Sequence, residues 1–284
     1  MKLTLIGLPL LVILLLHSDL SDAHGIASDR YFPPTITLDD PYAADEVHAV
    51  VGRTPNVGLN NTNTAIGNVM MLGGGIEPIP GFGISLDGLY RSPNANLTPQ
   101  ANGFDNVYYT IKKELTINDE HEFALTAGVN GQIGGTGGPG AANYTTYAPS
   151  VFYAKGFGDL PNSLSLLKPF AVTGVLGYQM PTDQSQPKAL NWGFTLQYSF
   201  MYLNEHVQST GWGEPLNHMI AVVEFPLQTC KTGTCSGQVT GSVNPGIVWV
   251  GPEFNLTAQA VLPINSQSGQ GVGVLFQIHK FFGK

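Results

Sequence analysis

The residues of this chain that could do chemistry are few and widely spaced. Cys230 and Cys235, its only cysteines, stand in the run TCKTGTC with Gly233 between them. In an exported chain such a C-x4-C pair reads as a disulfide stapling a loop, and two thiols without further cysteine or nearby histidine do not complete a zinc site. His24 follows Ser21-Asp22-Ala23, a small-x-small cleavage pattern. A cut after Ala23 would set a free α-amino group beside an imidazole, two nitrogens able to chelate Cu(II), with His48 the nearest further histidine in sequence. Asp39, Asp40, Asp45 and Glu46 cluster without the DxDxDG spacing of a dedicated calcium loop and read as a solvated or lumen-facing acidic segment. His121-Glu122 does not extend into HExxH, and neither Gly73-Gly74-Gly75 nor the glycines of 134–138 precede the helix that a phosphate cradle needs. The chain is therefore expected to be no enzyme and to hold no cofactor.

Elements that could position such residues begin with an export signal. Residues 1–23 carry Lys2, an apolar run from Leu3 to Leu16 and small residues at Ser21 and Ala23. That run is shorter than the roughly 20 residues a spanning helix requires, and no longer apolar run follows. Membrane residence then has to come through strands. With 35 Gly in 284 residues, 11% charged and 10% aromatic residues, the composition is not that of a disordered chain. A formal charge of −8 with no basic patch excludes nucleic acid as a partner.

The dominant pattern is a period of two. Across 190–203, Leu190, Trp192, Phe194, Leu196, Tyr198, Phe200 and Tyr202 alternate with Asn191, Gly193, Thr195, Gln197 and Ser199. At roughly 3.3 Å per residue this extends to about 40 Å, enough to cross an outer membrane at a tilt. Its aromatic residues suggest interfacial girdles. Similar segments recur at 64–76, 81–91, 106–117, 121–133, 148–158, 169–179, 217–227, 240–250, 253–264 and 270–282. These make eleven strands, and the even number of bacterial barrels implies a twelfth in the N-terminal arm or the weaker middle. Residues 118–120 form a short connection, against longer ones at 134–147 and 204–216, which predicts short turns on one side and long loops on the other.

On the polar phase, Asn191, Thr195, Gln197, Ser199, Asn255, Thr257, Gln259, Gln277 and His279 are the candidates to line a lumen. Their mostly neutral character predicts little ion selectivity, and Gln197→Glu is expected to introduce some.

The stretch from 244 to the end resembles the outer-membrane barrel family associated with phenol-degradation and related transport clusters of proteobacteria. The resemblance is carried by Gly251-Pro252-Glu253, by Ala260-Val261-Leu262-Pro263-Ile264-Asn265 and by the final Gly-x-Gly strand of 271–282. It implies passage of small, often hydrophobic, molecules across the outer membrane. The chain departs from the usual terminal aromatic by ending Phe282-Gly283-Lys284.

These readings converge on an all-β fold, a single antiparallel transmembrane β-barrel of about 12 strands with an irregular N-terminal arm. The expected organisation is a signal peptide at 1–23, an arm and potential lumen plug at 24–63, and a barrel at 64–284. The expected function is passive passage of small solutes, hydrophobic ones among them, through the outer membrane of a Gram-negative bacterium. Its partners would be outer-membrane lipid, the solute and the barrel-assembly machinery. The alternative is a secreted or periplasmic β-sheet binding protein holding copper through His24.

Overall fold

The computed structural model describes residues 25–57, 64–92 and 102–282. Two strands, β1 (Ile26–Ala27) and β2 (Arg30–Tyr31), form a small hairpin. The wall consists of β3 (Glu46–Val57), β4 (Thr64–Ile79), β5 (Phe82–Ser92), β7 (Val107–Asn118), β8 (Phe123–Ile133) and β9 (Thr146–Gly156), followed by β10 (Phe170–Pro181), β11 (Ala189–Ser199), β12 (Met219–Cys230), β13 (Val239–Val250), β14 (Asn255–Pro263) and β15 (Gly273–Phe281). The short β6 (Gly103–Phe104) pairs only with the end of β5. Each wall strand is antiparallel to the next, and β15 pairs with β3 from His279↔His48 to Val274↔Arg53, so the sheet closes as a 12-strand barrel.

The twelfth strand lies in the arm. Glu46–Val57 belongs to the wall, so the barrel begins at 46 and not at 64. Pro55 and the acidic residues before it hide the alternation, yet Val47, Ala49 and Val51 oppose His48, Val50 and Gly52 in the expected two-phase manner. The segment 190–203 is also shorter than its sequence suggests. It leaves the sheet after Ser199, whose hydroxyl accepts from the Tyr202 amide at 3.0 Å and caps a single helical turn, α1 (Phe200–Tyr202). Tyr202 is thereby buried at the mouth of the barrel, not displayed on its outer face.

One rim holds the start of β3 and the end of β15; we term it the terminal rim and the opposite one the far rim. The tight connections at 80–81, 119–122 and 251–254 lie at the terminal rim, as do two long ones, 157–169 and 200–218. The stretch 204–216 therefore emerges beside 118–120, and the expected segregation of short turns from long loops does not hold. Cys230 and Cys235 are bonded to each other in the far-rim connection after β12.

The two faces of the wall differ as the alternation requires. Val51, Leu72, Leu86, Leu176, Leu196, Phe276 and Ile278 are among the apolar side chains exposed on the outside. So many exposed apolar residues on successive strands form a band suited to lipid rather than water. Inward positions are mostly polar or small, with apolar exceptions such as Ile220, Val222 and Phe152, and many are more deeply buried than a hollow tube would allow.

Candidate functional site

Residues 25–45 account for that burial. The hairpin β1–β2 caps the terminal rim, the chain rises to mid-barrel near Leu38, and it descends to enter β3. Three sets of contacts hold it. At the base, Phe32 and Tyr42 pack against Ala27 and against Ala124, Ala154 and Ala171 of β8, β9 and β10. Small wall residues leave the room that two aromatic rings fill. At the crown, Ile36 packs with Val50, Val261 and Leu275, an apolar patch on the inner wall.

The third set is ionic. Arg30, almost wholly buried, donates from Nε to Glu122 at 3.1 Å and from Nη1 to the Pro169 carbonyl at 3.1 Å, and also donates to the Lys168 carbonyl. Its guanidinium lies 3.7 Å from the centroid of the Tyr202 ring. Burial pulls the Arg30 pKa down, and the Glu122 carboxylate opposes that shift. Glu122 reaches this position from a tight turn in which its own φ is +45°, an unusual conformation for a side-chain-bearing residue. A Cβ at Gly156 would stand 2.0 Å from Glu122 Oε2, so only glycine leaves space for the pair there.

Higher in the barrel, Lys112 of β7 donates to Asp39 at 2.9 Å and to the Asp40 carbonyl at 3.0 Å. Asp40 also accepts from the Tyr42 amide at 2.8 Å. Burial, with Asp39 and Glu46 adding to it, raises the Asp40 pKa to about 7 despite the nearby Lys112 ammonium. On the opposite wall, Glu224 of β12 accepts from the amides of Thr37 and Leu38 at 3.2 and 3.0 Å and from the side chain of Gln259. A fully buried carboxylate is thus satisfied by hydrogen bonds, the condition under which such burial is tolerable.

Above the arm lies a chamber of about 590 Å³, floored by residues 34–40 and walled by the inner faces of the strands toward the far rim. One oblique row of inward residues crosses it in register: His279 opposes His48, His48 opposes Gly73, Gly73 opposes Asp87, and Asp87 opposes Tyr108. His48 Nε2 lies 3.1 Å from Asp87 Oδ1, and His279 Nε2 lies 2.9 Å from Glu46 Oε2. The two imidazoles stack at 6.0 Å. A Cβ at Gly73 would be 1.7 Å from Asp87 Oδ1 and 2.7 Å from His48 Nε2, so this glycine is the gap through which the pair meets.

Of the nine lumen candidates, Asn191, Gln277 and His279 line the chamber. Thr195, Gln197, Ser199, Asn255, Thr257 and Gln259 lie deeper, buried beside the arm or the terminal rim. Asn255 donates to the Tyr31 hydroxyl at 2.7 Å, and Gln197 faces Thr173 at 3.4 Å. Gln197→Glu would therefore act behind the arm and not in the chamber. His24 lies outside the described residues, and His48, its suggested partner, is engaged by Asp87. Among the described residues no group of three or more His, Cys, Asp or Glu is arranged to hold a metal ion.

The charged residues carry most of what sequence reasoning missed. Lys112 and Glu114 sit on the polar phase of β7 and gave no separate signal. Glu224 did: it is a lone carboxylate in the apolar run MIAVVEFPL, in phase with Ile220 and Val222, and all three are buried inside.

No protein-family model and no curated protein sequence matches the chain. Solved structures do. The COG4313 outer membrane channel from Pseudomonas putida F1 superposes with a TM-score of 0.53 at 12% identity, over 88% of this chain and 100% of that one. The KdgM porin gives 0.49 at 9% identity, over 83% of this chain and 98% of that one. The chain shares the fold of an outer-membrane barrel channel.

Proposed function

We propose that this chain is an outer-membrane, porin-like channel for passive entry of small solutes, exported by its N-terminal signal and seated in a Gram-negative outer membrane. The observation that carries this reading is the closed barrel whose outer wall is a continuous apolar band and whose interior is polar. The fold shared with the outer membrane channel from Pseudomonas putida F1 supports it. Solutes enter the chamber from the far rim, and the arm governs passage through the terminal half.

The test is gel mobility of outer-membrane extracts with and without boiling, followed by conductance in planar bilayers. A faster-migrating unboiled band and discrete conductance steps are the expected result. Recovery in the soluble periplasmic fraction with no mobility shift would sink the reading.

A further inference from the structure

The charge inside the chamber is one-sided. Among the described residues, Asp39, Asp40, Glu46 and Asp87 line it, and no Lys or Arg does. Lys112, the nearest ammonium, reaches Asp39 and Asp40 from beneath the floor and is almost buried there. Among the described residues, the ion-pair partners of Glu46 and Asp87 are histidines, His279 and His48. Two further polar atoms belong to the same wall: Gln277 Oε1 and His279 Nδ1 are on buried side chains, 5% and 2% exposed, with no protein partner. Carboxylates inside low-dielectric walls concentrate counter-ions and reject like charge. The rest of the lining mixes neutral polar side chains, Asn130, Gln179, Asn191 and Gln228 among them, with apolar ones: Ile36 and Leu38 on the floor, Met71 and Val175 on the wall, and the Tyr108 ring next to Asp87 in register. Such a surface suits a ligand with a cationic head and an apolar body, the head taken by carboxylates and ring faces.

We propose that the chamber is a binding station for small organic cations, amines with an aliphatic or aromatic body, whose ammonium group is received between Glu46, Asp87 and Asp39. This rests on the channel reading and narrows it: solutes of this class are selected before passage, and small anions are excluded.

The experiment uses the full-length protein in mild detergent and three probes of similar shape: phenethylammonium, 2-phenylethanol and phenylacetate. Calorimetry is expected to show phenethylammonium binding at least about tenfold more tightly than the neutral alcohol, with phenylacetate weakest and the cation's affinity falling as salt is added. Asp87→Asn and Glu46→Gln should each bring the amine within about threefold of the alcohol, while unboiled gel mobility reports that the barrel is intact. If either wall variant fails to fold, Asp39→Asn on the arm carries the same expectation, and the salt titration of the unaltered protein stands independently. Equal affinity for amine and alcohol, or preference for phenylacetate, would overturn the inference. Bilayer measurements under a KCl gradient separate the two readings. Conductance without preference for K⁺ over Cl⁻ overturns the cation station and leaves the channel. Amine binding without any conductance leaves the station and overturns the channel.

Discussion

The two halves of the barrel are built from the same strands and filled in opposite ways. In the terminal half, residues 25–45 occupy the lumen, and polar groups on several elements hold them: Glu122 pairs with Arg30, Lys112 with Asp39, Glu224 with Thr37 and Leu38, Asn255 with Tyr31. Above the arm the lumen is open space, and the charged groups that face it pair across neighbouring strands, His48 with Asp87 and, nearer the terminal ends of β3 and β15, His279 with Glu46. The difference teaches how a barrel of this size divides labour. About 12 strands enclose enough width for one irregular segment, and where the segment ends a solute-sized volume remains.

Breaking the filled half should have the largest effect. Arg30→Met leaves Glu122 as an uncompensated buried carboxylate and should weaken docking of the arm by about 3–5 kcal/mol. The expected signs are proteolytic nicking within residues 25–45 and higher bilayer conductance, with unboiled gel mobility unchanged. An arm that stays protected would show that its apolar base, Phe32 and Tyr42 among the alanines, suffices without the ion pair.

Glu224→Gln attacks the crown instead. It replaces a charged acceptor of two amides with a neutral amide, at a cost of about 2 kcal/mol. Loosening near Thr37 should enlarge the chamber, and protection of the Thr37 and Leu38 amides against hydrogen exchange should fall. Protection at Ser28 and Phe32, at the base, should not change.

A smaller effect follows from pH. Because the pKa of Asp40 is raised to about 7 in the docked arm, its protonated form is favoured there. That contribution to docking is fully present below the ordinary carboxylate range and is lost as pH rises through about 7. Amide protection of residues 36–42 is therefore expected to be higher at pH 5 than at pH 8. Asp40→Asn should flatten this dependence; a profile unchanged by the substitution would assign it to another group.

The smallest effect is expected at the far rim. Replacing Cys230 and Cys235 with serine releases a loop that closes over very few residues, so barrel stability and conductance should stay as they are. Only protease sensitivity of 231–238 should rise.

Most of the wall was legible because one physical rule, alternation between lipid and lumen, is imposed on every strand. It located β5 and β13 to within a residue or two. It failed where a second rule intervened. In β3 the inward phase must serve both the chamber and the adjoining arm, so it carries the titratable Glu46 and His48. At Phe200 and Tyr202 the alternation continues through the helical cap, but the backbone does not, and Tyr202 turns in to meet Arg30. The chamber was less legible than the wall. Asp39 and Asp40 stood out as an acidic cluster, yet their meeting with Lys112 depends on sequence separations of 72 and 73 residues that no local pattern encodes. Gly73, which in the sequence is one member of a glycine run without a following helix, lies mid-strand, and its role appears only once β3 and β5 flank it.

The arm's anchors also bear on the order in which the molecule is made. Residues 25–45 precede every partner that holds them, and those partners lie 92, 139, 186 and 224 positions later, at Glu122, Pro169, Glu224 and Asn255. Contacts this distant form only after long loops have been closed. The strand that continues the arm, β3, is also the one that joins β15 to close the circle. Residues 25–45 thus wait for partners made much later, and the seam of the cylinder and its stopper are completed by one continuous stretch of backbone.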